Sequence, residues 1–455
     1  MESADGLPLP QRTWGALTIW LGLTLAVMDG AIANVALPTI ARDVNADPAS
    51  AVWVVNAYQL AVTVSLLPLA ALGERRGYRR VYWAGLGVFT LASLACALSR
   101  TLPMLTLARV LQGFGAAGIM SVNGALVRFI YPRRLIGRGL GLNAMVASTS
   151  AAIGPTVAAG ILSIAPWQWL FAINVPLGLV ALAVAARALP KTPHSEQKFD
   201  FSSATLNALT FGLLIIGIDG LGHGAAGLVV GAELAGALGF GAWLVVRQLA
   251  QTAPMLPVDL LRIPLFALSV ATSIAAFAGQ SLAFVSLPFL FENTLRWGEV
   301  RTGLLMTPWP VAVAVVAPFA GRLADRYAAG TLGGIGLAMM AVGLALLTFL
   351  PPEPSPADVV WRMMLCGAGF GFFNSPNNRA MLTAAPRERS GGASGMLATA
   401  RLLGQTMGAS LVALTFAISL ARGPQLALAL ATLAATLAAL ASLSRLTPVA
   451  RAEPR

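Results

Sequence analysis

Stretches of about twenty residues almost free of charge recur along the whole chain, and no other feature constrains its fold as strongly. At 1.5 Å of rise per residue, an apolar helix of that length crosses the roughly 30 Å hydrocarbon core of a bilayer. Composition agrees, since 57% of the residues are hydrophobic and only 11% are charged. A soluble domain carries about a quarter charged residues, so this is a membrane-spanning pattern and not one large core. Predicted spans cover residues 14–36, 51–72, 81–98, 105–127, 139–163, 170–186, 203–219, 225–246, 266–290, 303–320, 331–350, 357–378, 392–419 and 426–443, fourteen in all. The expected fold class is an all-α membrane protein.

The net charge of +12 invites a nucleic-acid reading, but the placement of the basic residues argues against one. With the N-terminus inside, 22 of the 30 Lys and Arg residues fall in inner segments, including Arg75, Arg76, Arg79 and Arg80, then Arg128, Arg133, Arg134 and Arg138. Outer loops hold Arg42, Arg100, Arg296, Arg301 and Arg422, while Arg109, Arg362 and Arg401 lie within spans. The positive-inside rule then puts both termini in the cytoplasm. No nucleic-acid partner is expected, and the lipid bilayer is. The first fourteen residues lack a separate apolar region with a cleavage site, so the first span is read as an uncleaved anchor. Cys96 and Cys366 sit inside apolar blocks, and His194 and His223 lie in loops, which leaves no metal, heme or disulfide framework to expect. No nucleophile–base cluster and no phosphate-cradling glycine loop appears, so neither an enzyme nor an ATP-driven pump is expected, and no catalytic residue is assigned.

The chain also repeats itself. Gly113, Gly115, Pro132, Arg133, Gly141 and Gly154 recur as Gly367, Gly369, Pro386, Arg387, Gly395 and Gly408, each at an offset of 254 residues. Leu72, Glu74 and Arg75 recur as Leu323, Asp325 and Arg326 at an offset of 251. A six-span unit used twice, with two further spans between the copies, accounts for this. The expected divisions are a cytoplasmic N-terminus (1–13), a first six-helix bundle (14–187), a linker with two inserted spans (188–262), a second bundle (263–443) and a cytoplasmic tail (444–455).

In the first span, Met28-Asp29-Gly30-Ala31-Ile32-Ala33-Asn34-Val35-Ala36-Leu37-Pro38 resembles the signature of the fourteen-span drug:proton antiporters of the major facilitator superfamily, with Gly30 where Thr is usual. Arg109-Val110-Leu111-Gln112-Gly113 resembles the superfamily motif whose intramembrane arginine is implicated in proton transfer. Leu72-Gly73-Glu74-Arg75-Arg76-Gly77-Tyr78-Arg79-Arg80 resembles its cytoplasmic gating motif, with Ala70 and Glu74 in place of the usual Gly and Asp, and Asp325-Arg326 belongs to the second copy. Gly141, Gly154 and Pro155 match the antiporter motif, although Ser150, Ala158 and Ala159 replace usual glycines. The resemblance implies alternating access, a proton gradient and no cofactor as the energy source, and export of a small amphipathic or cationic substrate. It points to a monomer in a bacterial cytoplasmic membrane, and the 28 Arg against two Lys suit a GC-rich bacterial genome.

Physical chemistry assigns roles within that frame. An ionised carboxylate inside a span costs about 2.5–3.5 kcal/mol on insertion scales, so Asp29 must return something for its cost. Facing a water-accessible cavity, it is read as a proton carrier, with Arg109 as the charge that tunes it. The alternative is a structural carboxylate that never titrates. Gating is assigned to Glu74, Arg75, Gly77, Arg79, Asp325 and Arg326, with Gly154 and Pro155 as a sealing hinge between the halves. Substrate contacts are sought among amides and aromatics: Asn34, Tyr58, Gln59, Trp309, Phe373, Asn374 and Asn378, the last three in a run around Pro376 that is expected to be broken helix. Arg401 lies in mid-span and needs an acid or water, with Asp219, Glu233 and Glu292 the remaining acids near apolar blocks. Two readings compete with drug or cation export. One is transport of another cargo such as a self-made metabolite, a lipid or an amino acid, and the other is a membrane-embedded enzyme or scaffold.

Overall fold

A computed structural model of the chain describes residues 6–132, 135–192, 200–222, 225–251, 258–324, 326–386 and 390–445. Asp325, Arg133, Arg134, Arg387, His194 and His223 lie outside the described residues. The helices are α1 (Gln11–Asp43), α2 (Pro48–Ala51), α3 (Trp53–Arg76), α4 (Tyr78–Leu98), α5 (Leu102–Ile130), α6 (Ile136–Leu162), α7 (Gln168–Ala172) and α8 (Asn174–Ala188) in the first half. Next come α9 (Phe201–Gly222) and α10 (Gly227–Leu249). The second half holds α11 (Pro264–Phe289), α12 (Glu299–Met306), α13 (Pro308–Leu323), α14 (Ala329–Thr348), α15 (Pro356–Ala384), α16 (Ser390–Ile418) and α17 (Gly423–Ser444).

Among the described residues, thirteen helical segments are long and apolar enough to cross a membrane, some built from two consecutive helices such as α2 with α3 and α12 with α13. The expected count of fourteen turns on α15, whose 29 residues exceed the length required. Asp358, Arg362, Asn374, Asn377, Asn378 and Arg379 dilute its apolar character. The expected break around Pro376 is absent, because α15 runs through that residue from Pro356 to Ala384. A transmembrane helix tolerates proline when neighbouring helices satisfy the carbonyl it frees. Large apolar side chains such as Leu91, Leu107, Leu238 and Trp243 point outward, as an integral membrane protein requires.

The end of the bundle where Gly15 abuts the Ala188 carbonyl, and where Arg445 donates to Ser269 near the start of α11, is called the inner end, and the opposite one the outer end. The sequence repeat is a packing repeat. Gly113 lets α5 close on the Tyr58 backbone of α3, and its counterpart Gly367 lets α15 close on the Trp309 backbone of α13. Gly115 meets Gly85 and Phe89 of α4, as Gly369 meets Gly336 and Met340 of α14. Gly154 of α6 rests on Ala31 of α1, as Gly408 of α16 rests on Ala278 of α11. A Cβ at any of these sites would collide with backbone or side chain in the facing helix, which is the physical reason the small residue recurs.

Helices α9 and α10 pair with each other, and α9 lies along the seam of α3 and α16. Asn207 donates to the Val64 carbonyl (3.0 Å), and the Trp53 indole donates to Asp219 (2.9 Å). At the inner end Asp200 accepts from Ser203 (2.6 Å) and Arg247 (3.0 Å), tying the pair together. Burial opposes ionisation of Asp200, but these bonds and one from Gln251 outweigh it and hold the carboxyl below its usual range.

Candidate functional site

Asp29 occupies the middle of α1 and is 2% exposed. Arg109, in the second turn of α5, is fully buried, so it does not snorkel to the interface but turns into the bundle. Its Nη1 donates to Asp29 Oδ2 and to Gln112 Oε1 (2.7 Å), and its Nε donates to the Val54 carbonyl (2.8 Å). Asp29 Oδ1 accepts from Gln112 Nε2 (2.8 Å) and Asn174 Nδ2 (2.8 Å). Gln112 in turn donates to Ser93 Oγ (2.9 Å). The guanidinium lies over the Tyr58 ring, 4.2 Å from its centre, while the Tyr58 hydroxyl donates to the Ala26 carbonyl (2.8 Å). Four helices of the first half therefore converge on one carboxylate, with donors from α5 and α8 and a bracing hydroxyl from α4.

A cavity of about 240 Å³ lies between the halves, walled by α1, α3, α5 and α6 on one side and α11, α13, α15 and α16 on the other. The sequence puts Asp29 toward this space, and the structure corrects that: Arg109 reaches the wall and Asp29 stands behind it. The reason is helical geometry, since Gly30 and Ala26 carry the cavity face of α1 while Asp29 points to α5 and α8. Arg109 Nη2 has no hydrogen-bond partner among the described residues, so the guanidinium links a sealed carboxylate to the cavity through an unsatisfied edge.

Of the expected substrate contacts, Asn34, Tyr58, Gln59 and Asn374 line the cavity. Trp309, Phe373 and Asn378 do not. Trp309 is fully buried behind Phe284, in an edge-on contact at 5.1 Å, and Phe284 takes the cavity position. On α15 the cavity face is Phe370 and Asn374, four residues apart, which turns Phe373 toward Gly333 and Gly336 of α14. Asn378 follows one turn further, roughly 6 Å along the axis. Asn377 is structural: it accepts from Arg445 (2.7 Å) and donates to Ser273 (2.8 Å), joining α15, α17 and α11. Gln280, Ser281, Phe277, Arg401 and Gln405 complete the wall. Among these only Arg401 stands out in the sequence, as a charge in mid-span. The sequence reading missed Asn174 and met Gln112 only within a motif, although each is an amide in an apolar block that must find a partner, which is the signal that marks it.

The cavity is closed off toward the outer end. Arg42, in the last turn of α1, donates to Glu292 (2.8 Å) and Glu299 (3.3 Å) of the second half, and Thr156 meets Thr307 (2.8 Å). Gly303 of α12 presses on Pro155 and Ala159 of α6. Pro155 therefore does sit where the halves meet, whereas Gly154 packs within its own half on Ala31. Exposed ion pairs contribute little, but the Glu292 side chain is 1% exposed and Arg42 is its salt-bridge partner. Arg42→Ala is thus expected to weaken outer closure by about 1–2 kcal/mol, roughly a tenfold shift in population. Cysteine labelling from the outer face, faster in the variant than in its parent, measures it.

At the inner end Glu74, Arg75 and Arg326 are exposed. Gly77 turns the chain between α3 and α4 at φ +92°, a conformation that suits glycine. Arg79 donates to the Ala186 carbonyl at the end of α8, so it braces its own half and does not reach the other. Arg362 pairs with Asp358 one turn away (3.7 Å).

Two bundles related by an internal repeat, a cavity between them and a buried charge pair behind its wall define a transporter. Residues 19–409 match the Major Facilitator Superfamily, and the chain belongs to that family. It is 56% identical to the uncharacterized transporter YebQ of Escherichia coli (strain K12), with 98% of each chain covered. It is 32% identical to the multidrug resistance protein Stp of Mycobacterium tuberculosis (strain ATCC 25618 / H37Rv), covering 85% of this chain and 73% of that one. Among solved structures, a POT family transporter in complex with a thioalcohol-conjugated peptide superposes with a TM-score of 0.73 at 15% identity, covering 95% and 96% of the two chains.

Proposed function

We propose that the chain is a proton-coupled antiporter that exports small amphipathic molecules from the cytoplasm by alternating access, with Asp29 as the proton site and Arg109 as its coupling partner. The observation that carries this reading is the buried Asp29–Arg109 pair, whose guanidinium alone reaches the cavity. A proton on Asp29 cancels half of the pair. Arg109 then holds an unbalanced charge in a low-dielectric site and is driven to seek partners in the cavity, which ties proton binding to substrate occupancy and to the packing of α5 against α1. The halves meet at the outer end, which suits an inward-facing state that receives its substrate from the cytoplasm. Likeness to a multidrug resistance protein supports export of foreign amphiphiles.

The test is transport of fluorescent amphiphiles by protein reconstituted in vesicles under an imposed pH gradient. Gradient-dependent movement against the substrate's own gradient, collapsing when a protonophore is added, is the expected result. Movement that follows the substrate gradient alone and ignores the protonophore overturns proton coupling.

A further inference from the structure

The charges around the cavity do not fit a cation. Both guanidiniums that reach its wall, Arg109 and Arg401, come without an Asp or Glu beside them on the wall. Arg109 is balanced from behind by Asp29. Arg401 forms no hydrogen bond or ion pair among the described residues, and its nearest aromatic neighbour is Phe277, 5.8 Å from the guanidinium to the ring centre. The acids that the sequence offers as partners are engaged elsewhere or remote. Glu292 pairs with Arg42, Asp219 accepts from Trp53, and Glu233 of α10 lies against Gly217 and Gly220 of α9. The cavity therefore carries a net positive charge in a site where an unpaired charge is costly. Phe277, Phe284 and Phe370 stand on the wall beside the amides Gln280, Asn374 and Gln405, with small and aliphatic side chains filling the rest.

We propose that the transported substrate is an amphipathic organic anion, an aromatic ring system bearing a carboxylate, sulfonate or acidic phenol, whose charge pairs with Arg401 while its rings lie among Phe277, Phe284 and Phe370. An anionic oxygen satisfies the guanidinium with charge-assisted hydrogen bonds, and the amides donate to the rest of the head group. A cation of the same shape gains only ring contacts and meets an uncompensated positive charge. The inference rests on the transporter reading and adds the sign of the substrate's charge, with an energetic consequence. A monoanion leaving as one proton enters moves two charges and responds to membrane potential, whereas a monocation exchanged for one proton moves none.

The experiment uses three probes with purified full-length protein at fixed ionic strength: 1-anilinonaphthalene-8-sulfonate, its neutral analogue N-phenyl-1-naphthylamine, and the cation ethidium. The sulfonate is expected to bind at least ~10-fold more tightly than the other two, and Arg401→Gln to remove that preference while Arg401→Lys keeps part of it. Comparable or tighter binding of ethidium by the native protein overturns the proposal, and this arm needs no variant to fold. Unchanged sulfonate affinity in a folded Arg401→Gln protein overturns it as well. Vesicles clamped with valinomycin and potassium then separate the two readings. Sulfonate transport accelerated by potential supports the anion assignment, whether or not a pH gradient drives it. A pH gradient that fails to drive sulfonate while potential still does sinks proton coupling and leaves the substrate class standing.

Discussion

Asp29→Asn is expected to reduce pH-gradient-driven transport by ~100-fold or more, because Asn keeps one acceptor for Gln112 or Asn174 but neither balances Arg109 nor binds a proton. Removing one member of a buried ion pair also costs about 3–5 kcal/mol, since the partner is left charged in a low-dielectric interior. Thermal unfolding should therefore shift down together with transport. A purely structural carboxylate would give the shift without a specific transport defect. The two are separated by substrate exchange without a gradient, which requires the fold and the cavity but no proton. Exchange preserved with gradient-driven transport lost assigns the proton to Asp29. Parallel loss of both reduces Asp29 to a structural group, and retention of both moves the coupling to another site.

Gly303→Val is the second large effect. A Cβ at residue 303 would lie 2.7 Å from the Ala159 Cβ and 2.8 Å from the Pro155 carbonyl, backbone and near-backbone atoms that cannot swing aside. Overpacking of this kind costs about 1–3 kcal/mol, and here the cost falls only on the state in which the outer ends meet. The population should move roughly 5- to 150-fold toward an outward-open form. Accessibility of a cysteine placed at Asn34 to a membrane-impermeant reagent reads this directly. Labelling no faster than in the parent with the same cysteine refutes the seal assigned to α6 and α12.

Much of the fold was legible because membrane crossing imposes a length and a composition, and both are local properties of the sequence. Glycine spacing carried further: residues 254 apart with the same small side chain predicted equivalent helix contacts, and Gly113 and Gly367 do sit in equivalent grooves. The pairing of Asp29 with Arg109 was also legible, since two isolated charges in neighbouring apolar blocks are too costly to leave apart. What could not be read was direction. Whether Trp309 or Phe284, Phe373 or Asn374, faces the cavity depends on how each helix is rotated about its axis, and in a bilayer apolar side chains face lipid and neighbouring helices alike, so hydrophobicity does not report it.

Membrane class and the identity of the charges that matter could be read from the residues alone, because both follow from the cost of placing a residue type in lipid, while recurring residues and motifs gave the repeat and the superfamily resemblance. The packed helices were needed to show that Asp29 stands behind Arg109, that Arg42 and Gly303 hold the outer ends together, and that Arg401 reaches the cavity with no acid among the described residues to balance it. Those facts depend on which helix faces meet between residues 80 to 257 positions apart in the chain. Close packing of small residues fixes those faces, and no local pattern reports it.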